Sequence, residues 1–292
     1  MKNLLRVFFA LVLSLSVVAC GNQDETYSLK VLCPTGAPGL ALLSEYETIN
    51  ENGKIDFVDG TDLLVAEFTK AQSEYDVVVA PVNLGCKLIE KGQTEYKLAG
   101  VITWGNLYLV GTSQDALNSG EIALFGEGAV PQKVFESIDA YQHLTKTYYQ
   151  SATIVQQQLL AKKVQVGMLA EPAATATIAK AKQQGLELSI LSNLQEQFGE
   201  GGYSQAAIFV KDLKAAQPLL DKIDAFTNNG YENLEELLNS IGTDTIGLPS
   251  SEIVLKTIER QNVHYKKASE CVDDLTTFLK LFNITFSNDM IA

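Results

Sequence analysis

Residues 29–43 read LKVLCPTGAPGLALL. The first five form a short apolar run rich in β-formers, Pro34-Thr35-Gly36 breaks it, and Pro38-Gly39 leads into an apolar segment of helical spacing. The pattern predicts a strand, a tight turn and a helix. Thr35 stands where a cap is needed and Pro38 suits a first helical turn, which would leave the N–H groups of Gly36, Ala37 and Gly39 open beyond the strand's end. In an open α/β sheet that space is the ligand crevice. The same residues also fit an ordinary βα turn whose glycines only relieve strain.

Two further units follow in the same style. Residues 55–58 predict a second strand ending in Asp59-Gly60-Thr61-Asp62, a turn with a ready N-cap before a helix through Leu63, Leu64, Ala66 and Phe68. Residues 75–80, YDVVVA, are apolar through the middle, as buried parallel strands are, and Pro81-Val82-Asn83 opens the next helix. Three βα units in succession predict a parallel, doubly wound sheet. The rhythm changes at KLAGVITWGNLYLVGT, residues 97–112, which is too long for one strand. Gly105-Asn106 splits it into strands over 97–103 and 107–111, as expected where a chain leaves one sheet and enters another.

The βα pattern restarts at 121–125, EIALF, with Gly126, Glu127, Gly128, Ala129, Val130 and Pro131 as its turn. Residues 148–149, 164–170 and 186–191 give further strands, and Glu171-Pro172 starts a helix of small residues to Gln183. A glycine-rich connection, FGEGG at 198–202, precedes a strand at 203–210 that returns to the first domain; the remainder from Asp212 is expected to be mostly helical. The outline is one α/β domain interrupted by a second, with crossings near 105–113 and 200–210. Paired crossings make a hinge, and a hinge between two lobes makes a cleft that closes on a ligand.

The chain's beginning has a separate character. Lys2 and Arg6 precede an apolar run from Val7 to Leu15, and small residues lead to Cys20-Gly21, the order of a secretory signal peptide. No later run approaches the roughly 20 apolar residues of a membrane span. Removal of residues 1–19 takes two cations and no anion, bringing the net charge from -13 to -15. So acidic a body repels phosphate backbones, which sets nucleic-acid binding aside. Arg260 is the one arginine left, so an anionic ligand would depend on backbone N–H groups, hydroxyls or Lys. Cys33, Cys86 and Cys271 remain after Cys20; an odd number cannot all pair and their spacing fits no metal motif, although a bond between Cys33 and Cys86 is geometrically conceivable. His143 and His264 stand far apart, which argues against zinc capture and most His-based catalysis. Neither a metal nor a cofactor is expected.

VVAC at 17–20 resembles the lipobox of bacterial lipoproteins, and by that resemblance Cys20 becomes the lipid-modified N-terminus after cleavage, with residues 20–27 as a polar tether. PTGAPGLAL, VDGTD, VVVAPVNLG, TWGNLYLV and AEPAATA together resemble solute-binding proteins of ABC transporters. They fit the type II periplasmic-binding-protein group that serves nitrate, sulfonates, taurine and thiamine-precursor pyrimidines. The resemblance implies two doubly wound α/β lobes on a two-crossing hinge, residues 28–108 with 205–292 as lobe 1 and 109–204 as lobe 2. It implies a monomeric, membrane-tethered extracytoplasmic receptor that hands a small solute to an ABC permease. Matching turns place Thr35, Gly36, Ala37 and Pro38, then Asp59, Gly60 and Thr61, then Pro81, Val82 and Asn83, at the ligand. Gly126, Glu127, Gly128, Ala129 and Glu171 hold the equivalent turns of the second lobe. Trp104, at the crossing, either stacks on a flat ligand or fills the hinge. Each turn residue also fits a plain helix cap. A carboxylate at Glu171 facing the cleft would favour a ligand with an N–H donor or positive charge, such as a ring bearing amino groups.

Two rival readings stand beside this one. The same two-lobed fold serves enzymes of menaquinone-precursor synthesis, for which Glu171, Asp59 and Asn83 are candidate catalytic groups, though a signal peptide speaks against it. A sensory or structural surface lipoprotein without a transporter is the other.

Overall fold

The computed structural model describes residues 27–292 apart from Ser119 and Glu200. The signal peptide, Cys20 and nearly all of the tether lie outside the described residues. The opening units run β1 (Lys30–Pro34), a 3-10 helix (Ala37–Glu45) continuing as α1 (Tyr46–Asn52), β2 (Lys54–Val58), α2 (Asp62–Thr69), β3 (Val77–Pro81) and α3 (Val82–Glu90). β1 lies between β2 and β3 and is parallel to both. Alternate residues of β3 feed two different cores: Val78 and Ala80 join one apolar cluster, Val77 and Val79 the other. That is why this strand reads as a continuous apolar run, since helices cover both faces.

β4 (Lys97–Thr103) and β5 (Leu107–Gly111) flank the Gly105-Asn106 break, and they belong to different sheets. The first sheet has the order β11-β4-β10-β3-β1-β2, where β10 is Ala206–Val210 and β11 is Val263–Lys267. The second is ordered β7-β6-β8-β5-β9. It is built from β6 (Glu121–Phe125), α4 (Val130–Glu136), β7 (Thr145–Tyr149), α5 (Ala152–Leu160), β8 (Val166–Ala170), α6 (Ala173–Gln183) and β9 (Ser189–Asn193). Because β5 pairs wholly with β8 and β9, the second lobe takes the chain from Leu107, slightly before the expected division.

Neither sheet is purely parallel. β10 runs antiparallel to both β3 and β4, and β5 antiparallel to both β8 and β9, so each lobe receives one reversed strand from its neighbour's side of the crossing. The helical tail consists of α7 (Leu213–Asn228), α8 (Leu234–Ile241), α9 (Ser251–Gln261) and α10 (Val272–Lys280), but it is interrupted by β11, which the sequence reading did not expect.

The two crossings lock together around Trp104. Its backbone N–H donates to the Asn262 carbonyl at 2.9 Å, and its carbonyl accepts from Asn262 Nδ2 at 2.7 Å and the Tyr203 N–H at 3.1 Å. The indole Nε1 donates to the His264 carbonyl at 3.0 Å while the ring stacks on the His264 imidazole at 5.3 Å. A glycine is required on each crossing. Gly105 has φ 88° and a Cβ there would lie 2.5 Å from the Tyr203 ring; Gly202 has φ 73° and a Cβ there would collide with the Trp104 carbonyl oxygen.

Candidate functional site

A cavity of about 550 Å³ opens where strand ends of both sheets meet, within the size range of small-molecule pockets. Thr35, Gly36, Ala37 and Pro38 line it from the turn after β1, Thr61 from the start of α2, and Pro81 and Asn83 from the β3–α3 junction. Gly128 and Ala129 line it from the second lobe, together with Glu171. Other expected residues stand apart from the wall. Asp59 lies behind Thr35, whose hydroxyl donates to Asp59 Oδ1 at 2.6 Å, so Thr35 secures the neighbouring turn and caps no helix. Gly60 carries that turn at φ 73°, Val82 is wholly buried in the core, and Gly126 bends the chain at φ 73° against Pro131. Glu127 is exposed and outside the lining. Trp104 is 1% exposed and committed to the hinge, which excludes stacking on a ligand in this conformation.

The first turn also differs from expectation in its donors. Gly36 N–H is taken by the Ile246 carbonyl at 2.7 Å and Gly39 N–H by the Gly36 carbonyl at 3.0 Å. Among the hydrogen bonds of the described residues none uses Ala37 N–H. The loop before α9 supplies Ile246, and Gly247, Leu248 and Pro249 complete the wall there. Further open donors come from helix starts: Asn83 and Leu84 in the first turn of α3, Val130 at α4 and Ala173 at α6 all border the cavity. First-turn N–H groups have no intrahelical acceptor, and together they carry the partial positive end of each helix.

Charge on the wall is confined to Glu171, and it is neutralised. Its Oε1 accepts from Arg260 Nε at 2.8 Å and from the Thr175 hydroxyl at 2.8 Å; its Oε2 accepts from the Thr175 N–H at 3.0 Å. Arg260 Nη2 also donates to the Thr175 hydroxyl at 2.9 Å, and the Tyr108 hydroxyl donates to the Arg260 carbonyl at 2.9 Å. Burial pushes the Tyr108 hydroxyl up to about 12, which keeps it a donor. The Glu171 side chain is 0% exposed. A free carboxylate offered to the ligand was therefore the wrong expectation: this group joins α6 of the second lobe to α9 of the first.

Reading the sequence missed Asn106, Gln205 and the 247–249 loop. It also missed a pattern available by inspection: six of the seven prolines, Pro34, Pro38, Pro81, Pro131, Pro172 and Pro249, line this cavity. Each stands at a strand end or helix start, where a missing N–H costs nothing, and each gives a rigid apolar surface. The cysteines play no part. Cys33, Cys86 and Cys271 are all buried and unpaired, so no Cys33–Cys86 bond exists. Burial raises all three thiols, Cys86 and Cys271 to about 12, which makes them inert at neutral pH.

No family model matches the sequence, and no curated protein does either. Solved structures do. One described as an ABC transporter from Parabacteroides distasonis is 25% identical, with a TM-score of 0.74 over 88% of this chain and 92% of that one. The periplasmic aliphatic sulphonate binding protein SsuA of Escherichia coli is 13% identical, with a TM-score of 0.62 over 88% and 87%. The ligand-binding component of an ABC-type import system from Staphylococcus aureus, solved with zinc bound, is 13% identical, with a TM-score of 0.62 over 91% and 96%. The fold is that of the periplasmic binding proteins, and the structural neighbours are solute-binding proteins of ABC transporters.

Proposed function

We propose that this two-lobed fold serves as an extracytoplasmic receptor that captures a small polar or amphipathic solute between its lobes and delivers it to an ABC permease. The observation that carries the reading is convergence: turns from both sheets, far apart in sequence, line one cavity beside a two-crossing junction. The charged start, apolar run and VVAC add a lipid anchor at Cys20, so that a single tethered copy works at the outer face of the membrane. Open N–H groups at the helix starts and carboxamides on the wall hold the solute by hydrogen bonds, and the lobes close over it about the crossings held by Gly105 and Gly202. An enzyme on this fold is disfavoured by the wall's chemistry. Its one titratable side chain, Glu171, is shielded and engaged by Arg260, which leaves no free carboxylate or imidazole at the cavity to act as general acid or base.

Thermal-shift screening against a broad solute library tests the reading, because a ligand at 100 times its dissociation constant adds about 2.7 kcal/mol of stability. Small-angle scattering with the best solute should then show compaction. A library that stabilises nothing would count against a receptor, and a bound solute that leaves the radius of gyration unchanged would count against lobe closure.

A further inference from the structure

Resting on the lobe closure of the receptor reading, we propose that Arg260 is a latch: with Glu171 and Thr175 it stabilises the closed arrangement of the lobes, and so strengthens solute binding without touching the solute. Arg260 stands in the last turn of α9 in the first lobe and is not part of the cavity wall. Its bonds nevertheless cross to the second lobe. Nε donates to Glu171 Oε1 and Nη2 to the Thr175 hydroxyl, both at the start of α6, while its carbonyl accepts the Tyr108 hydroxyl from β5. The carboxylate lies at the N-terminus of α6 and the guanidinium at the C-terminus of α9, so each charge also suits the end of its own helix.

The latch lies on the side of the crossings that parts when the cleft opens. Glu171 borders the cavity, whereas Phe198, Gly202, Tyr203 and Phe278 line a separate small pocket that shares no residue with it. There Tyr203 packs between Phe198 of the second lobe and Phe278 of the first, with ring centroids 5.0 and 5.3 Å apart. These rings and the bonds around Trp104 form the pivot. Turning the second lobe outward about it carries α6 away from α9, and hydrogen bonds at 2.8 and 2.9 Å do not survive such a shift. The two arrangements then differ in what surrounds Glu171. Closed, its side chain is 0% exposed and relies on Arg260; open, water reaches the carboxylate and replaces the guanidinium. Loss of Arg260 therefore penalises the closed arrangement more than the open one, and only such a difference shifts an equilibrium between two states. A solute gripped by both lobes binds the closed arrangement, so its apparent affinity rises with the closed fraction.

Interlobe distances measured without any solute test this. Nitroxide labels are attached in the Cys20→Ala background through Ala66→Cys on α2 and Gln157→Cys on α5, exposed positions on different lobes. Cys33, Cys86 and Cys271 are buried and stay unlabelled. Pulsed electron resonance then reads how the chain divides between the distance of this structure and the longer one of parted lobes. Arg260→Met should lower the ratio of short to long about tenfold, and Arg260→Lys, which keeps the charge, should recover part of it. Should Arg260→Met fail to fold, Glu171→Gln should give a smaller shift in the same direction. Salt supplies a readout that general destabilisation would not mimic: 1 M KCl, with a Debye length of about 3 Å, should lower the short fraction of the parent but not that of Arg260→Met. A short fraction that ignores both Arg260→Met and salt overturns the latch, as does a parent chain with no short fraction or a single distance in every variant. Each of these leaves the receptor reading standing, because stabilisation by a solute is measured separately and succeeds or fails by itself.

Discussion

Replacing Arg260 by Met is the sharpest test of how the two lobes are joined. The substitution keeps the aliphatic stem but removes the guanidinium that contacts Glu171 Oε1 at 2.8 Å and the Thr175 hydroxyl at 2.9 Å. Glu171, with its side chain 0% exposed, then holds a buried charge supported by Thr175 alone. Removing one partner of a buried pair costs about 3–5 kcal/mol, and Arg260's 39% exposure puts this one near the low end, at about 3 kcal/mol. At 2–4 °C per kcal/mol for a chain near this size, the melting temperature should fall by roughly 6–12 °C. Glu171→Gln should also destabilise, because it leaves the guanidinium without its counter-charge. The double variant should recover to within about 1 kcal/mol of the parent, since removing both partners leaves nothing unpaired. Chemical denaturation of the four proteins gives the coupling energy directly. A double variant that loses the plain sum of the two single losses would refute the argument and reduce the pair to a surface contact.

Three other outcomes are expected. Gly202→Ala should lower the melting temperature far more than Gly185→Ala, because both sit at positive φ but only Gly202 has the Trp104 carbonyl where a Cβ would go; equal effects in differential scanning calorimetry would contradict that packing. Burial and the neighbouring Lys266 lower the pKa of His264 below its ordinary 6.5. The unfolded chain then binds more protons than the folded one just below that pH, so stability should fall as the pH drops through about 6.5. His264→Gln should flatten this limb of a melting-temperature profile, and an unaltered profile would show that the hinge imidazole is not its source. Lastly, Cys20→Ala should release the protein from membranes, and full retention in the membrane fraction would remove the lipid anchor from the proposal.

Where local chemistry decides, the sequence was legible. β4, β5 and β6 begin and end where hydrophobic runs meet Gly105-Asn106 and Gly126, because a turn needing positive φ leaves its mark on the chain itself. Asp212 and Ser151 cap α7 and α5 as their residue types imply. β11 was missed because VHYKK is short, polar at alternate positions and at a sheet edge, so its pairing with β4 supplies what its composition does not announce. Direction was hidden too: β10 reads as one more apolar strand, and only insertion between β3 and β4 makes it antiparallel.

At the cavity the division runs between place and role. Strand ends followed by Pro, Gly and small residues located the turns of both lobes, since the ends of strands in an α/β sheet must face a crevice. What each side chain does there depended on partners that sequence distance conceals. Arg260, 89 positions from Glu171, turns a free carboxylate into a clasp. The carbonyl of Ile246 consumes the Gly36 donor, and His264 claims the face of Trp104. Most strands and helices, β11 apart, and the turns that border the cavity are set by interactions within a few residues and were legible in the chain alone. The charge of the cavity and its open donors are sums over contacts between distant segments, and only the tertiary structure decided them.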